Sequence, residues 1–180
     1  MAVLDQFQLE GKVAIVTGAG SNLGREMALA LADAGANLVG VGRRPEPLEE
    51  TAKMVRKKGQ EFLTLPTDVT DSNAVDVMIQ SAISHFGQID ILINNAGGGG
   101  AGRGKTLPEL TDEDWNDGIN VNLSSAFFCS RSIIEHMVDH RSGRIINVAS
   151  GWGYRGGRNQ FMYPIAKAGI ISLTKCLAMT

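Results

Sequence analysis

A chain of 180 residues is long enough to bury one core and too short to divide readily into two, so a single domain over residues 1–180 is expected. Its 43% hydrophobic and 20% charged content is that of a globular protein in water, and 17 Lys and Arg against 19 Asp and Glu leave a net charge of -2. There is no basic block to track a phosphate backbone and no apolar stretch near membrane-span length, so neither nucleic acid nor a membrane is expected as partner. Residues 1–12 also lack a basic region followed by an apolar run, which makes the cytoplasm the default location.

Short β-rich runs then alternate with helix-period segments, the order that gives an α/β fold with a parallel sheet covered on both faces. The first run, Val13 to Thr17, ends in Thr17-Gly18-Ala19-Gly20-Ser21-Asn22-Leu23-Gly24 and passes straight into a helix. Glycines in such a turn let backbone N–H groups approach a pyrophosphate, and the helix N-terminus adds favourable partial charge. Tight strand-to-helix packing is the plainer reading of the same residues. The second run, Asn37 to Val41, is followed by Gly42-Arg43-Arg44. A pocket for a ribose 2′-hydroxyl wants a carboxylate there, whereas a missing carboxylate and a forked guanidinium suit a 2′-phosphate, so NADP is preferred over NAD. A solvated turn before Pro45 is the alternative.

A third run, Glu61 to Pro66, leads into Val75, Met78, Ile79, Ala82, Ile83 and Phe86 at helical spacing, with Asp71 or Ser72 as the start signal and Gly87 as the stop. A fourth run, Ile89 to Asn94, completes the crossover and opens into a flexible loop containing Gly97 to Gly100 and Gly102. Within that loop, Gly99 to Thr106 fits G-x-x-x-x-G-K-[ST], the phosphate-binding pattern of nucleoside triphosphatases. Against it stand Pro108, which obstructs a helix opening at Lys105-Thr106, and the lack of a later strand ending in an Asp for magnesium. Thr111-Asp-Glu-Asp114 reads as a capping box opening one unusually long helix that carries Trp115, Ile119, Asn122, Ala126, Phe127, Ile133 and Met137 on a broad face. The fifth run, Arg144 to Ala149, stops at Ser150, and a last helix starts near Gln160.

That helix holds Tyr163-Pro-Ile-Ala-Lys167, whose four-residue spacing puts a phenol and an ammonium on one face, one turn apart. A cation so placed favours the phenolate, which makes Tyr163 a plausible general acid/base, and Pro164 is tolerated in a first helical turn. Taken alone, such a pair is more often ordinary surface packing. Cys129 and Cys176 read as reduced packing residues, and His85, His136 and His140 are too scattered for a metal site.

With Asn94-Asn-Ala-Gly97 added to the glycine turn, Ser150, Tyr163 and Lys167, the chain resembles the short-chain dehydrogenase/reductase family from about Gly11 to Ala178. The resemblance implies a Rossmann-like doubly wound sheet and hydride transfer between NAD(P) and an alcohol/carbonyl pair. It implies that Tyr163 exchanges the proton with the substrate oxygen, that Lys167 holds the nicotinamide ribose, that Ser150 orients the substrate oxygen, and that Asn122 helps connect Lys167 to a water relay. The same likeness assigns Gly18, Ser21, Leu23 and Gly24 to the cofactor turn, Asp68-Val69 to the adenine, and Asn94, Ala96 and Gly97 to the cofactor beside the central strands. Asn22 stands where the family has its middle glycine, so its cofactor contact is the weakest of these assignments.

The chain stops inside the helix carrying Lys167, where the family continues through further strands, so a C-terminally incomplete domain is expected. A nucleotide- or partner-binding domain without turnover remains the second reading. Trp152, Tyr154 and Phe161 suggest a partly apolar pocket, compatible with 3-oxoacyl thioesters, steroids, sugars or small ketones. Self-association as a dimer or tetramer is implied by the family, with Phe127, Phe128, Ile133 and Met137 either as apolar surface for it or buried against the sheet.

Overall fold

The computed structural model describes residues 6–100 and 102–179. Five parallel strands, β1 (Val13–Thr17), β2 (Asn37–Gly42), β3 (Phe62–Pro66), β4 (Ile91–Asn94) and β5 (Arg144–Asn147), form one sheet in the order β3-β2-β1-β4-β5. The helices are α1 (Asn22–Asp33), α2 (Pro45–Arg56), α3 (Ser72–Phe86), α4 (Asp112–Ile119), α5 (Ser125–Asp139) and α6 (Met162–Leu177). In register, Val13 faces Asn37, Ala14 faces Ile91, Leu38 faces Phe62 and Ile91 faces Arg144. The chain order therefore reverses direction across the sheet between β1 and β4, and ligands of such sheets bind at that point, beyond the carboxyl ends of the strands.

β1 is buried along its whole length, as a central parallel strand must be, and its alternate residues feed two separate cores. Val13 and Ile15 pack with Val39, Val75, Ile79, Leu92 and Ile133 on one face. Ala14 and Val16 pack with Ala28, Leu38, Leu48, Ala52 and Ile93 on the other. Each core covers one side of the sheet, and together they hold the strand ends in a fixed frame.

The start and stop signals act where the sequence puts them. Asp71 accepts bonds from the backbone N–H groups of Asn73 and Ala74 at the head of α3, and Gly87 closes it at φ 77°. The Thr111 side chain and Asp114 form the reciprocal box that opens α4. Among the differences from expectation, three have a visible cause. β4 starts at Ile91 rather than Ile89, because the Ile89 N–H is taken by His136 Nε2 at 3.1 Å. β5 ends at Asn147, since Ser150 opens a 3-10 turn over Gly151–Tyr154. The long helix is not uniform: Asn120–Ser124 form a π turn, with Ser125 N–H reaching back to Asn120 O, so α4 and α5 are offset across it.

Candidate functional site

The glycine turn after β1 packs against the start of β4's following loop. Thr17 Oγ1 accepts from Asn95 N–H at 3.0 Å and Ala96 N–H at 2.9 Å, and Asn95 Nδ2 donates to Thr17 O at 2.9 Å. Gly18 sits at φ 71°, the left-handed region that a glycine enters without penalty. A Cβ on Gly24 would run into Gly18 O and lie 2.7 Å from Asn95 Nδ2, so only glycine lets α1 close down on the turn. Asn22 takes φ 48°, tolerable for asparagine, which is how the turn survives without the family's middle glycine. Ser21, the residue before α1, makes no side-chain cap bond, and the first turn of α1 carries no acidic residue. The positive end of that helix is left open to an anion.

Two adjoining clefts flank this turn, of about 660 and 590 Å³, and they share Gly18, Ala96 and Gly97 as a common wall. The larger is lined by Ser21, Asn22, Leu23, Gly24, Ser150, Tyr163 and Lys167, the smaller by Arg43, Asp68 and Val69. The structure thus gathers all but two of the expected site residues into one groove across the switch point. In the smaller cleft, Asp68 Oδ1 accepts from Thr70 N–H at 3.0 Å and from the Thr70 hydroxyl at 2.8 Å. The Thr70 backbone bond, aided by the Thr70 hydroxyl and the nearby Arg43 charge, holds the Asp68 carboxyl below its usual value despite some burial. Arg43 itself is exposed at the end of β2, beside Gly42.

In the larger cleft, Lys167 is only 5% exposed, donates to Val148 O at 2.7 Å, and lies 5.6 Å from the centre of the Tyr163 ring. Burial pushes its pKa below that of an ordinary lysine, because leaving water penalises the ammonium. Ser150 Oγ accepts from Trp152 N–H at 3.2 Å, which fixes the oxygen at the mouth of the 3-10 turn.

Asn94 and Asn122 fall outside the lining. Asn94 turns inward, donating to Asn147 Oδ1 at 2.8 Å and Ser130 Oγ at 3.1 Å, and its own Oδ1 has no partner among the described residues. It braces β4, β5 and α5, and its neighbour Asn95 faces the cleft instead. Asn122 is buried in the π turn, where Nδ2 donates to Gly98 O at 2.9 Å and Gly118 O at 3.0 Å while Oδ1 accepts from Gly98 N–H at 3.0 Å. It makes no direct bond to Lys167 among the described residues, although both flank Gly97: a Cβ there would lie 2.8 Å from Asn122 Oδ1 and 3.6 Å from Lys167 Nζ. Asn95 and Arg103 in the cleft lining, and Thr17 bracing the turn beside it, were not singled out from the sequence. Thr17 and Asn95 stood inside quoted motifs, but Arg103 had no signal beyond its place in the glycine loop.

The triphosphatase pattern does not build a phosphate loop. Lys105 is held by Asp114 at 2.6 Å, Thr106 bonds Glu109 at 2.7 Å, and only a three-residue 3-10 turn, Leu107–Glu109, follows. No group of His, Cys, Asp and Glu capable of holding a metal is found among the described residues, and none of their helices is long and apolar enough to cross a membrane.

A doubly wound sheet with a glycine turn, an open helix N-terminus and a groove spanning both sides of the switch point defines a dinucleotide-binding protein. The model of the short chain dehydrogenase family matches residues 12–180, and the chain belongs to that family of NAD(P)-dependent oxidoreductases. It is 38% identical over 177 residues to the 2-dehydro-3-deoxy-D-gluconate 5-dehydrogenase of Escherichia coli, covering 98% of this chain and 68% of that protein. It is 37% identical to the 3-oxoacyl-[acyl-carrier-protein] reductase of the same organism, covering 94% and 67%. Among solved structures, NAD+-bound xylitol dehydrogenase superposes with a TM-score of 0.90 at 36% identity, covering 95% of this chain and 65% of that one. The chain thus spans about two thirds of the length of the proteins it resembles.

Proposed function

We propose that the groove binds a nicotinamide dinucleotide, NADP(H) ahead of NAD(H), and that the chain interconverts an alcohol and a carbonyl compound with Tyr163 handling the proton. One observation carries the reading: the buried Lys167 ammonium, 2.7 Å from Val148 O and 5.6 Å from the Tyr163 ring centre, at the end of the groove that also holds Ser150. An ammonium has three donors, and Val148 takes one. The remaining two suit ribose hydroxyls and negative charge on the phenol oxygen. The residues present also fit the rest of the cofactor. The Gly18–Gly24 close approach and the open α1 N-terminus suit a pyrophosphate, Asp68-Val69 an adenine, and Arg43 beside Gly42 a 2′-phosphate.

When bound, the nicotinamide supplies or accepts the hydride. In the reductive direction, the Ser150 hydroxyl holds the substrate oxygen, and Tyr163 gives that oxygen its proton as the C=O double bond becomes a C–O single bond. Lys167 stabilises the negative charge left on the phenol oxygen, and a water between Asn122 Oδ1 and Lys167 Nζ returns the proton from solvent. The oxidative direction runs the same transfers backwards. The similar proteins named above are two dehydrogenases and a reductase, which supports this reaction class. Ile133 and Met137 are buried in the core and Phe128 packs against it, so of the expected apolar surface only Phe127 is exposed; with exposed Trp115 it supports self-association as a dimer or tetramer, which sedimentation velocity would report.

Tyr163→Phe tests the proton step. Turnover of a screened carbonyl substrate should fall about 100- to 10,000-fold, the usual worth of a general acid/base, while NADPH fluorescence titration gives an unchanged Kd. Undiminished turnover in that variant would remove Tyr163 from the chemistry. No NADPH or NADH binding by the wild-type chain would remove the cofactor reading.

A further inference from the structure

The two segments that border the Tyr163 end of the groove carry positive charge without a matching carboxylate. Residues 97–105 and 150–161 contain Arg103, Lys105, Arg155 and Arg158, and neither segment contains Asp or Glu. The segments touch, because Gly104 N–H donates to Asn159 O at 3.1 Å, and so bring Arg103 and Arg158 to one rim. Lys105 is neutralised by Asp114 at 2.6 Å, but none of the three arginines is in an ion pair among the described residues. Arg155 is laid over Trp152, 5.6 Å from the ring centre, and Trp152 lines the cleft. Arg103 is the only one of the three in the cleft wall itself, with Ser150, Gln160 and Tyr163.

The chain on either side of Arg103 fixes which end of the groove it serves. Gly102 lies against Met162, the residue before Tyr163, so closely that an added Cβ would sit 2.7 Å from Met162 Cε. Gly104 is tied to Asn159, and both anchors therefore belong to the approach to α6, whereas Arg43 lines the neighbouring cleft. Three uncompensated guanidinium groups on one rim repel one another and raise the local potential for anions entering the cleft. A single fork in the wall matches a single carboxylate, which guanidinium grips in bidentate fashion.

We infer that the substrate is a small oxo acid or hydroxy acid, whose carboxylate is taken by Arg103 while its reacting oxygen lies at Ser150 and Tyr163. The inference rests on the oxidoreductase reading of the site and adds the charge of its substrate. Arg155 and Arg158 contribute field rather than contact, so the preference for an anion should weaken as salt is raised.

The test uses the full chain, wild-type and Arg103→Gln, each saturated with NADPH or NADH, whichever binds. Each would be titrated with pyruvate, levulinate and their methyl esters, following nicotinamide fluorescence for binding and nicotinamide absorbance for turnover. The expected result is at least about tenfold tighter binding of one acid than of its ester in the wild type, a preference that disappears in Arg103→Gln. Binding of the ester and the cofactor Kd should not change. Equal binding of acid and ester, or no acid binding, overturns the inference. So does a loss of cofactor affinity in Arg103→Gln, which would assign the guanidinium to the cofactor phosphates. Selective acid binding through Arg103 without turnover of any of the four compounds supports the anion site and counts against the oxidoreductase reading alone.

Discussion

The two ends of the groove are held in place by different means. At the β1 end, Gly18, Gly24, Thr17 and Asn95 are locked by backbone close approach and by hydrogen bonds of 2.9 to 3.0 Å between buried or half-buried groups. At the Tyr163 end, the rim consists of exposed loops joined to each other through Gly104 and Asn159, with Arg103 in the cleft wall. A part that recognises an invariant ligand can be set rigidly into the sheet. A part that recognises a particular substrate sits on loops, where residues change without disturbing the core.

The sharpest way to break this comparison is to add the same methyl group at each end. Gly24→Ala drives a Cβ into Gly18 O, which cannot yield without moving β1 or α1. It should cost about 1–3 kcal/mol, as overpacking does, and weaken dinucleotide binding beyond measurement. Gly98→Ala adds a Cβ that meets nothing within 4 Å, and should stay within about 0.5 kcal/mol of wild type with an unaltered cofactor Kd. Thermal denaturation and NADPH titration of both variants check this. Equal tolerance at the two positions would mean that the β1 turn is not the rigid part.

Arg43→Ala sharpens the comparison at the adenosine end. Arg43 stands at a strand terminus but is exposed and reaches Asp68 only electrostatically. If it pairs with a 2′-phosphate, NADPH should lose about 10- to 100-fold in affinity, the value of a charged hydrogen-bonded contact, while NADH is unaffected. Equal losses for both cofactors would show that Arg43 supports the local structure and does not read the phosphate.

The same division explains what could be read from the sequence. The β1 turn and the placement of Tyr163 beside Lys167 were legible because their geometry is local: glycine spacing, a strand before a helix, a phenol and an ammonium one turn apart. The direction of the Asn94 side chain was not legible because a strand's final residue can point either way. Only the pairing with β5, which sets Asn94 opposite Asn147, shows that it faces inward and leaves Asn95 to the cleft. The π turn at Asn120–Ser124 was invisible because its determinant is tertiary, the grip of Asn122 on Gly98. The Gly99–Thr106 pattern, already opposed by Pro108 in the sequence, fails for a tertiary reason as well. Its lysine is claimed by Asp114, a partner the pattern does not mention.

The smallest effect is expected at the opposite end of the sheet, where it serves as a control on both halves of the groove. His136 Nε2 accepts the Ile89 N–H at 3.1 Å, which requires the neutral ring. Burial, followed by the charge of neighbouring His140, lowers its pKa from the usual 6.5, against the opposing pull of Asp139 and Asp90. A histidine with a depressed folded-state pKa contributes no penalty while it is neutral in both folded and unfolded chains, above the unfolded value. As the pH falls through 6.5 the unfolded chain takes up the proton first, so stability drops until the folded-state value is passed. His136→Gln keeps an acceptor for Ile89 N–H but cannot titrate, so urea midpoints measured from about pH 7.5 to about pH 5 should fall less steeply than in wild type. Because this contact lies at the start of β4, away from the carboxyl ends that hold the groove, NADPH affinity at pH 7.5 should be the same in both proteins. A change in that affinity would mean that the sheet transmits strain from one end to the other, and that the β1 turn owes its rigidity to the whole strand rather than to Gly18, Gly24 and Asn95.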